Sequence, residues 1–331
     1  MFPFFIPYIN PHRLIMLSLN SGKEAGMMDR DTRRGSLEMA AAMLISGTIG
    51  LFVLMSGQPV AGVVFWRCVF GAATLAGLAA AFGLIELRYL RPRVIVLSVA
   101  GGVAIVVNWL LLFAAYPRAS ISIATMVYNT QPFMLLGLGA LFLGERITPT
   151  KLFWLSVSFA GMIAIVSAKP AGGFEPANYL AGIGLALAAA FFYAIAAVVT
   201  KLLKGTPPQL IALIQVITGA VMLAPFAVKA ALPQDGMQWT LLIAVGVVHT
   251  GIMYVLLYGA IQKLPTHVTG ALSFIYPIAA ILVDRVAFGQ ALQPVQIAGS
   301  AAILVAAAGT NLGWNLRSIP FIRPETERGT S

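Results

Sequence analysis

Arg67 is the one cation of the chain that falls inside an expected membrane span, between the charge-free runs 39–66 and 68–85. A charge at that depth costs about 2.5–3.5 kcal/mol on insertion scales, so it must face protein or water. Three roles fit it. Its guanidinium can take a carboxylate in a two-pronged geometry. It can snorkel, because it lies about two turns from the nearer end of its segment. It can also form a gate pair with Asp284, expected near the same face. Trp66 stands beside it in Phe65-Trp66-Arg67.

A second group surrounds two prolines. One segment reads Tyr128-Asn129-Thr130-Gln131-Pro132 and another Ser273-Phe274-Ile275-Tyr276-Pro277. A proline inside a helix removes one backbone hydrogen bond and its ring collides with the preceding turn, so carbonyls are freed. The reading is a pair of helix breaks at Pro132 and Pro277, with Tyr128, Asn129, Gln131 and Tyr276 as binding candidates. The alternative is an ordinary kink whose polar groups bond neighbouring helices. His249 can carry a proton or sit neutral against a carbonyl. Tyr254 and Tyr258 lie further along at a spacing of four, on one helix face. Asn108 and Trp109 complete the set. Such aromatics can wall a solute cavity or simply pack.

The elements that must hold these residues are legible in the charges. Residues 94–117, 119–144, 176–200, 205–228, 236–262, 264–283 and 286–316 each lack Asp, Glu, Lys and Arg. Uncharged apolar runs of that length are the mark of membrane-spanning helices, which need ~20 residues. Shorter runs at 68–85 and 152–168 qualify at the lower limit. Run 39–66 is too long for one helix, and Ser56-Gly57-Gln58-Pro59 breaks it as a turn. Ten spans result, at 37–55, 60–83, 94–116, 119–142, 149–168, 179–201, 207–229, 237–261, 265–287 and 290–313. Sixteen of the Lys and Arg residues then fall on the side of the termini and four on the other, which places both termini in the cytoplasm.

That placement also explains the net charge of +10, so no nucleic-acid partner is inferred. The lone cysteine, Cys68, allows no internal disulfide. The N-terminal segment lacks a basic region ahead of its apolar residues and is not read as a signal peptide. Residues 1–35 are expected to be a disordered cytoplasmic arm, with Met27 and Met28 as alternative starts.

Shifted by 145 residues, the chain aligns with itself. Leu111 meets Leu256, Ala115 meets Ala260, Pro132 meets Pro277, Gly144 meets Gly289 and Pro149 meets Pro294. Trp109 and Phe113 meet Tyr254 and Tyr258. Five spans per half is an odd number, so the second half enters upside down, as in transporters that expose one site to each side in turn. The fold expected is all-α and integral to the membrane, with ten transmembrane helices in two inverted five-helix repeats. The repeats cover 36–168 and 179–313, with a periplasmic linker at 169–178 between them and a cytoplasmic tail at 314–331.

With Phe65-Trp66-Arg67 early in span two and Leu143-Gly144-Glu145-Arg146-Ile147-Thr148 after span four, the chain resembles the drug/metabolite transporter superfamily, in particular its EamA-type members. The second half reads Phe288-Gly289-Gln290, where that family often has Gly-Glu, so a role for the second carboxylate is not carried over. The resemblance implies a multi-pass protein of a bacterial inner membrane that exports amino acids or amino-acid-derived metabolites. Arg67 with the aromatics would suit a carboxylate-bearing solute, opine-like metal chelators included, and the amides and tyrosines would equally suit a neutral polar one.

Absences narrow the chemistry. No Asp or Glu sits at the centre of any span, so coupling through a buried carboxylate is not expected. No phosphate-binding glycine loop is present. Neither HExxH nor paired carboxylates appear, and His12, His249 and His267 fall at different depths. No metal, cofactor or catalytic residue is assigned. The partners expected are the bilayer and a small solute bearing a carboxylate. The competing readings are an integral-membrane enzyme acting on a lipid-linked substrate, an importer of a small neutral metabolite, and a channel.

Overall fold

Prolines set where several helices begin. A proline in the first turn loses nothing by lacking an N–H, and its fixed φ suits the helix. In the computed structural model, Pro92, Pro149, Pro176, Pro208 and Pro294 each open one. The structure describes residues 11–83, 86–143, 148–167, 175–203, 205–227, 232–264, 272–311 and 313–314. All regular structure among them is helical. The elements are α1 (Pro11–Met55), α2 (Val60–Ala81), α3 (Pro92–Ala119), α4 (Ile121–Tyr128), α5 (Gln131–Leu143), α6 (Pro149–Ser167), α7 (Pro176–Leu202), α8 (Pro208–Ala227), α9 (Gly236–Gly246), a π-turn (Val247–Ile252), α10 (Met253–Lys263), α11 (Ile275–Phe288) and α12 (Pro294–Asn311).

Six stretches are long and apolar enough to cross a membrane: Arg30–Met55, α2, α3, Pro176–Thr200, α8 and Gly236–Leu257, which runs through the π-turn. The apolar helices Pro149–Ile165 and Pro294–Gly309 are shorter. Two more of the ten expected spans are split. Span four is split into α4 and α5 by a turn at Asn129–Thr130. In span nine, α11 has 14 residues and comes after a turn at Ser273–Phe274, while residues 265–271 lie outside the described set. Both splits fall just before the aligned prolines.

The first helix starts at Pro11 and runs without a break to Met55. No proline interrupts 12–58, and pairs such as Arg34–Glu38, at 3.0 Å across one turn, support its exposed face. Gly144–Ile147, His267 and residues 315–331 lie outside the described residues, as do the side chains of His12 and Tyr258.

Packing partners change places between the halves. α3 lies along α7 as α1 lies along α10, α5 meets α7 as α1 meets α11, and α2 meets α9 as α3 meets α8. α2 packs on α8 and α6 on α12. The last pair crosses at Gly161 and Gly299. A Cβ on Gly161 would sit 2.6 Å from the Gly299 carbonyl, and one on Gly299 would sit 2.5 Å from the Gly161 carbonyl. Only glycine lets the two backbones approach this closely, a device common where water cannot drive helices together.

Candidate functional site

The two turns before the prolines, the π-turn and α2 converge on one cavity of about 340 Å³. Arg67, Asn108, Trp109, Tyr128, Asn129, Gln131, Pro132, His249, Tyr254 and Tyr276 all line it. Tyr193 of α7, Phe113 of α3 and Met39 and Met43 of α1 join them. Met39 is next to Glu38, which bonds Lys263 of α10 at 2.5 Å. The lining therefore runs from the Arg67 level toward the Glu38–Lys263 end.

Arg67 is buried, with 3% of its surface exposed, so it does not snorkel. Its Nε donates to Thr250 Oγ1 at 3.0 Å and its Nη2 to the His249 carbonyl at 3.4 Å. Its guanidinium carbon stands 4.0 Å from the Trp109 ring centroid and 5.7 Å from that of Phe113. A cation over an aromatic face is attracted by the ring quadrupole, more so when both are out of water. No carboxylate pairs with it among the described residues. The expected Arg67–Asp284 gate pair does not form. Asp284 is buried at the far end of α11 and accepts the Ser122 backbone N–H at 2.8 Å. There the carboxylate supplies an acceptor to the first turn of α4, whose N–H groups have no partner within their own helix.

The π-turn is what brings Arg67 its partners, and no sequence expectation anticipated it. Thr250 Oγ1 donates to Val245 O at 3.2 Å and His249 Nδ1 lies 3.2 Å from Ala244 O, each five residues back. A carbonyl only accepts, so Nδ1 carries the proton. His249 Nε2 lies 3.0 Å from Thr48 Oγ1 of α1, and the ring meets Phe52 edge-on at 4.7 Å. Of the two roles open to His249, the structure therefore has the ring bonded to a carbonyl. The one local signal was Gly246 and Gly251, five apart. Cβ atoms there would lie 2.4 Å from Phe70 Cβ and 2.2 Å from Thr74 Cγ2, so both glycines press against α2.

The polar run before Pro132 serves the break first. Asn129 Nδ2 donates to Thr125 O at 2.7 Å and Thr130 Oγ1 to Val127 O at 2.8 Å, each a second bond to a carbonyl that also accepts that residue's own backbone N–H where α4 stops. Asn108 Nδ2 donates to Ala189 O at 2.7 Å and Tyr128 OH at 3.3 Å, tying α3 to α7 and α4. Asn108 Oδ1 and Gln131 Oε1 are buried with no protein partner among the described residues. Tyr128 and Tyr193 meet edge-on at 5.9 Å. Two candidates fall elsewhere. Trp66 points away from the cavity and packs against Phe65, Phe70 and Trp239, at 5.1, 5.5 and 4.8 Å. Pro277 is buried behind Tyr276 and does not line the cavity.

The profile of the EamA-like transporter family matches residues 33–167 and again 180–312. The chain is 29% identical over 258 residues to the uncharacterized transporter YxxF of Bacillus subtilis (strain 168), covering 76% of this chain and 81% of that protein. It is also 29% identical over 197 residues to the pseudopaline exporter CntI of Pseudomonas aeruginosa (strain UCBPP-PA14), covering 57% of this chain and 64% of that protein. One solved crystal structure superposes with a TM-score of 0.60 at 21% identity, over 84% of this chain and 96% of that one, a likeness of fold.

Proposed function

The chain belongs to the EamA-like transporter family, and from that premise we propose that it is a secondary exporter of amino acids or amino-acid-derived solutes bearing a carboxylate. The observation that carries the substrate class is Arg67, a buried cation on the cavity wall with no acidic partner among the described residues. A solute carboxylate would complete it. At the α3–α5 wall, Asn108 Oδ1 and Gln131 Oε1 offer acceptors to an ammonium group on the same solute. The tyrosines, Trp109 and Phe113 give its apolar part a surface. Export is favoured by one relative's name as a pseudopaline exporter.

The architecture for this cycle is ten spans in two inverted five-helix repeats, about 36–168 and 179–313, in a bacterial inner membrane with both termini in the cytoplasm. The duplicated family match and the exchange of packing partners between halves support it. Helices broken at corresponding points of two halves are a feature of transport sites. The turns before Pro132 and Pro277 meet that description. The cavity lining reaches Met39, on the side that carries Glu38 and Lys263, which is the cytoplasmic side in this orientation.

The test compares metabolites in the medium of cells lacking this protein, overproducing it, or carrying Arg67→Ala at equal protein level. The expected result is a carboxylate-bearing solute that accumulates outside only with the intact protein. Accumulation that survives Arg67→Ala removes the anchor role. A solute depleted from the medium by the intact protein reverses the direction.

A further inference from the structure

We propose that Thr250, presented by the π-turn, is the positioning residue that makes Arg67 prefer a carboxylate over an uncharged analogue. This rests on the reading of Arg67 as the carboxylate anchor. A guanidinium has five N–H groups in a rigid fork. Nε spends its one on Thr250 Oγ1 and Nη2 spends one of two on the His249 carbonyl. Of the three that remain, one on Nη1 and one on Nη2 lie along the Nη1–Nη2 edge, which can grip both oxygens of a carboxylate.

Trp109 and Thr250 hold that edge in place, with the longer bond from Nη2 to the His249 carbonyl beside them. The Trp109 ring, its centroid 4.0 Å from the guanidinium carbon, holds the group against one face but does not by itself stop it turning. Thr250 stops the turning. Its single hydroxyl proton goes to Val245 O, so a lone pair is left for Nε. The i−5 partner exists because the helix is a π-turn there, and π-turns recur at functional sites. Close approach of α2 completes the arrangement. A Cβ on Gly71 would lie 2.8 Å from Thr250 Cγ2, and one on Gly246 would lie 3.2 Å from the Arg67 carbonyl. Without the hydroxyl, the fork can turn Nε toward the cavity and its charge no longer meets the solute in one geometry.

The experiment measures binding of radiolabelled benzoate to purified protein in nanodiscs, with competition by unlabelled benzoate and by benzamide. Both probes suit the aromatic walls and differ only in the anionic group. Wild type should prefer benzoate by about tenfold or more, the scale of a charge-assisted pair. Thr250→Ser should keep that preference. Thr250→Val should lose most of it while its melting temperature and benzamide affinity stay near wild type. Thr250→Ala provides the same comparison where the valine variant does not fold. A preference retained in both Thr250→Val and Thr250→Ala overturns the positioning role and leaves the anchor standing. Benzoate binding that is unchanged in Arg67→Gln, or absent from wild type, overturns the anchor and this inference with it.

Discussion

At the scale of single residues, the cavity separates groups that hold the fold from groups left free. Asn108, Asn129 and Thr130 spend their donors on backbone carbonyls. His249 is held on both ring nitrogens, by Ala244 O and Thr48 Oγ1. A glutamine can reproduce one donor and one acceptor there. His249→Gln is therefore expected to keep at least about half of wild-type export, because a satisfied neutral imidazole does no work that an amide cannot do. Export assays at matched protein level check this. A collapse of flux in that variant would mean that the imidazole passes a proton during the cycle.

At the scale of elements, helix ends and helix interruptions carry the architecture. α4 starts at Ser120, whose φ of 68° lies in the left-handed region. Its first turn is capped twice, by Ser120 Oγ on the Ile123 N–H and by Asp284 on the Ser122 N–H. The second cap ties the first half of the chain to the second. Asp284→Ala should lower the melting temperature by an amount equivalent to about 1–2 kcal/mol, the usual cost of a lost cap. Scanning fluorimetry in detergent measures it, and an unchanged transition would mean that water replaces the carboxylate at no cost. Just past Asp284, Gly289 closes α11 with a φ of 67°, which places the Phe288-Gly289-Gln290 motif at a helix stop.

At the scale of the whole molecule, the proposed orientation makes a prediction independent of substrate. The chain has one cysteine, Cys68, and it is buried. In a Cys68→Ala background, Gln234→Cys should react with an impermeant maleimide added to intact spheroplasts, and Arg88→Cys should react only after permeabilisation. Both positions are exposed. The opposite pattern would invert the proposed orientation.

The sequence by itself determined the membrane character, most helix positions and the two breaks. Charge-free length and proline are local properties, and a helix in lipid must satisfy its backbone within itself. That is why the turns at 129–130 and 273–274 were legible from Pro132 and Pro277. It also named ten of the cavity residues, because a buried arginine, amides and aromatics in apolar runs need a reason to be there. Only the tertiary structure decided what they meet. Arg67 and Asp284 looked like partners when depth alone was counted. Helix rotation turned one toward Thr250 and Trp109 and the other toward Ser122. Trp66, next to Arg67, faces away for the same reason, since adjacent residues on a helix point about 100° apart. The π-turn left no mark in apolar periodicity, because its extra residue is stabilised by contact with α2 across Gly71, Gly246 and Gly251, and such contacts exist only once the helices have packed.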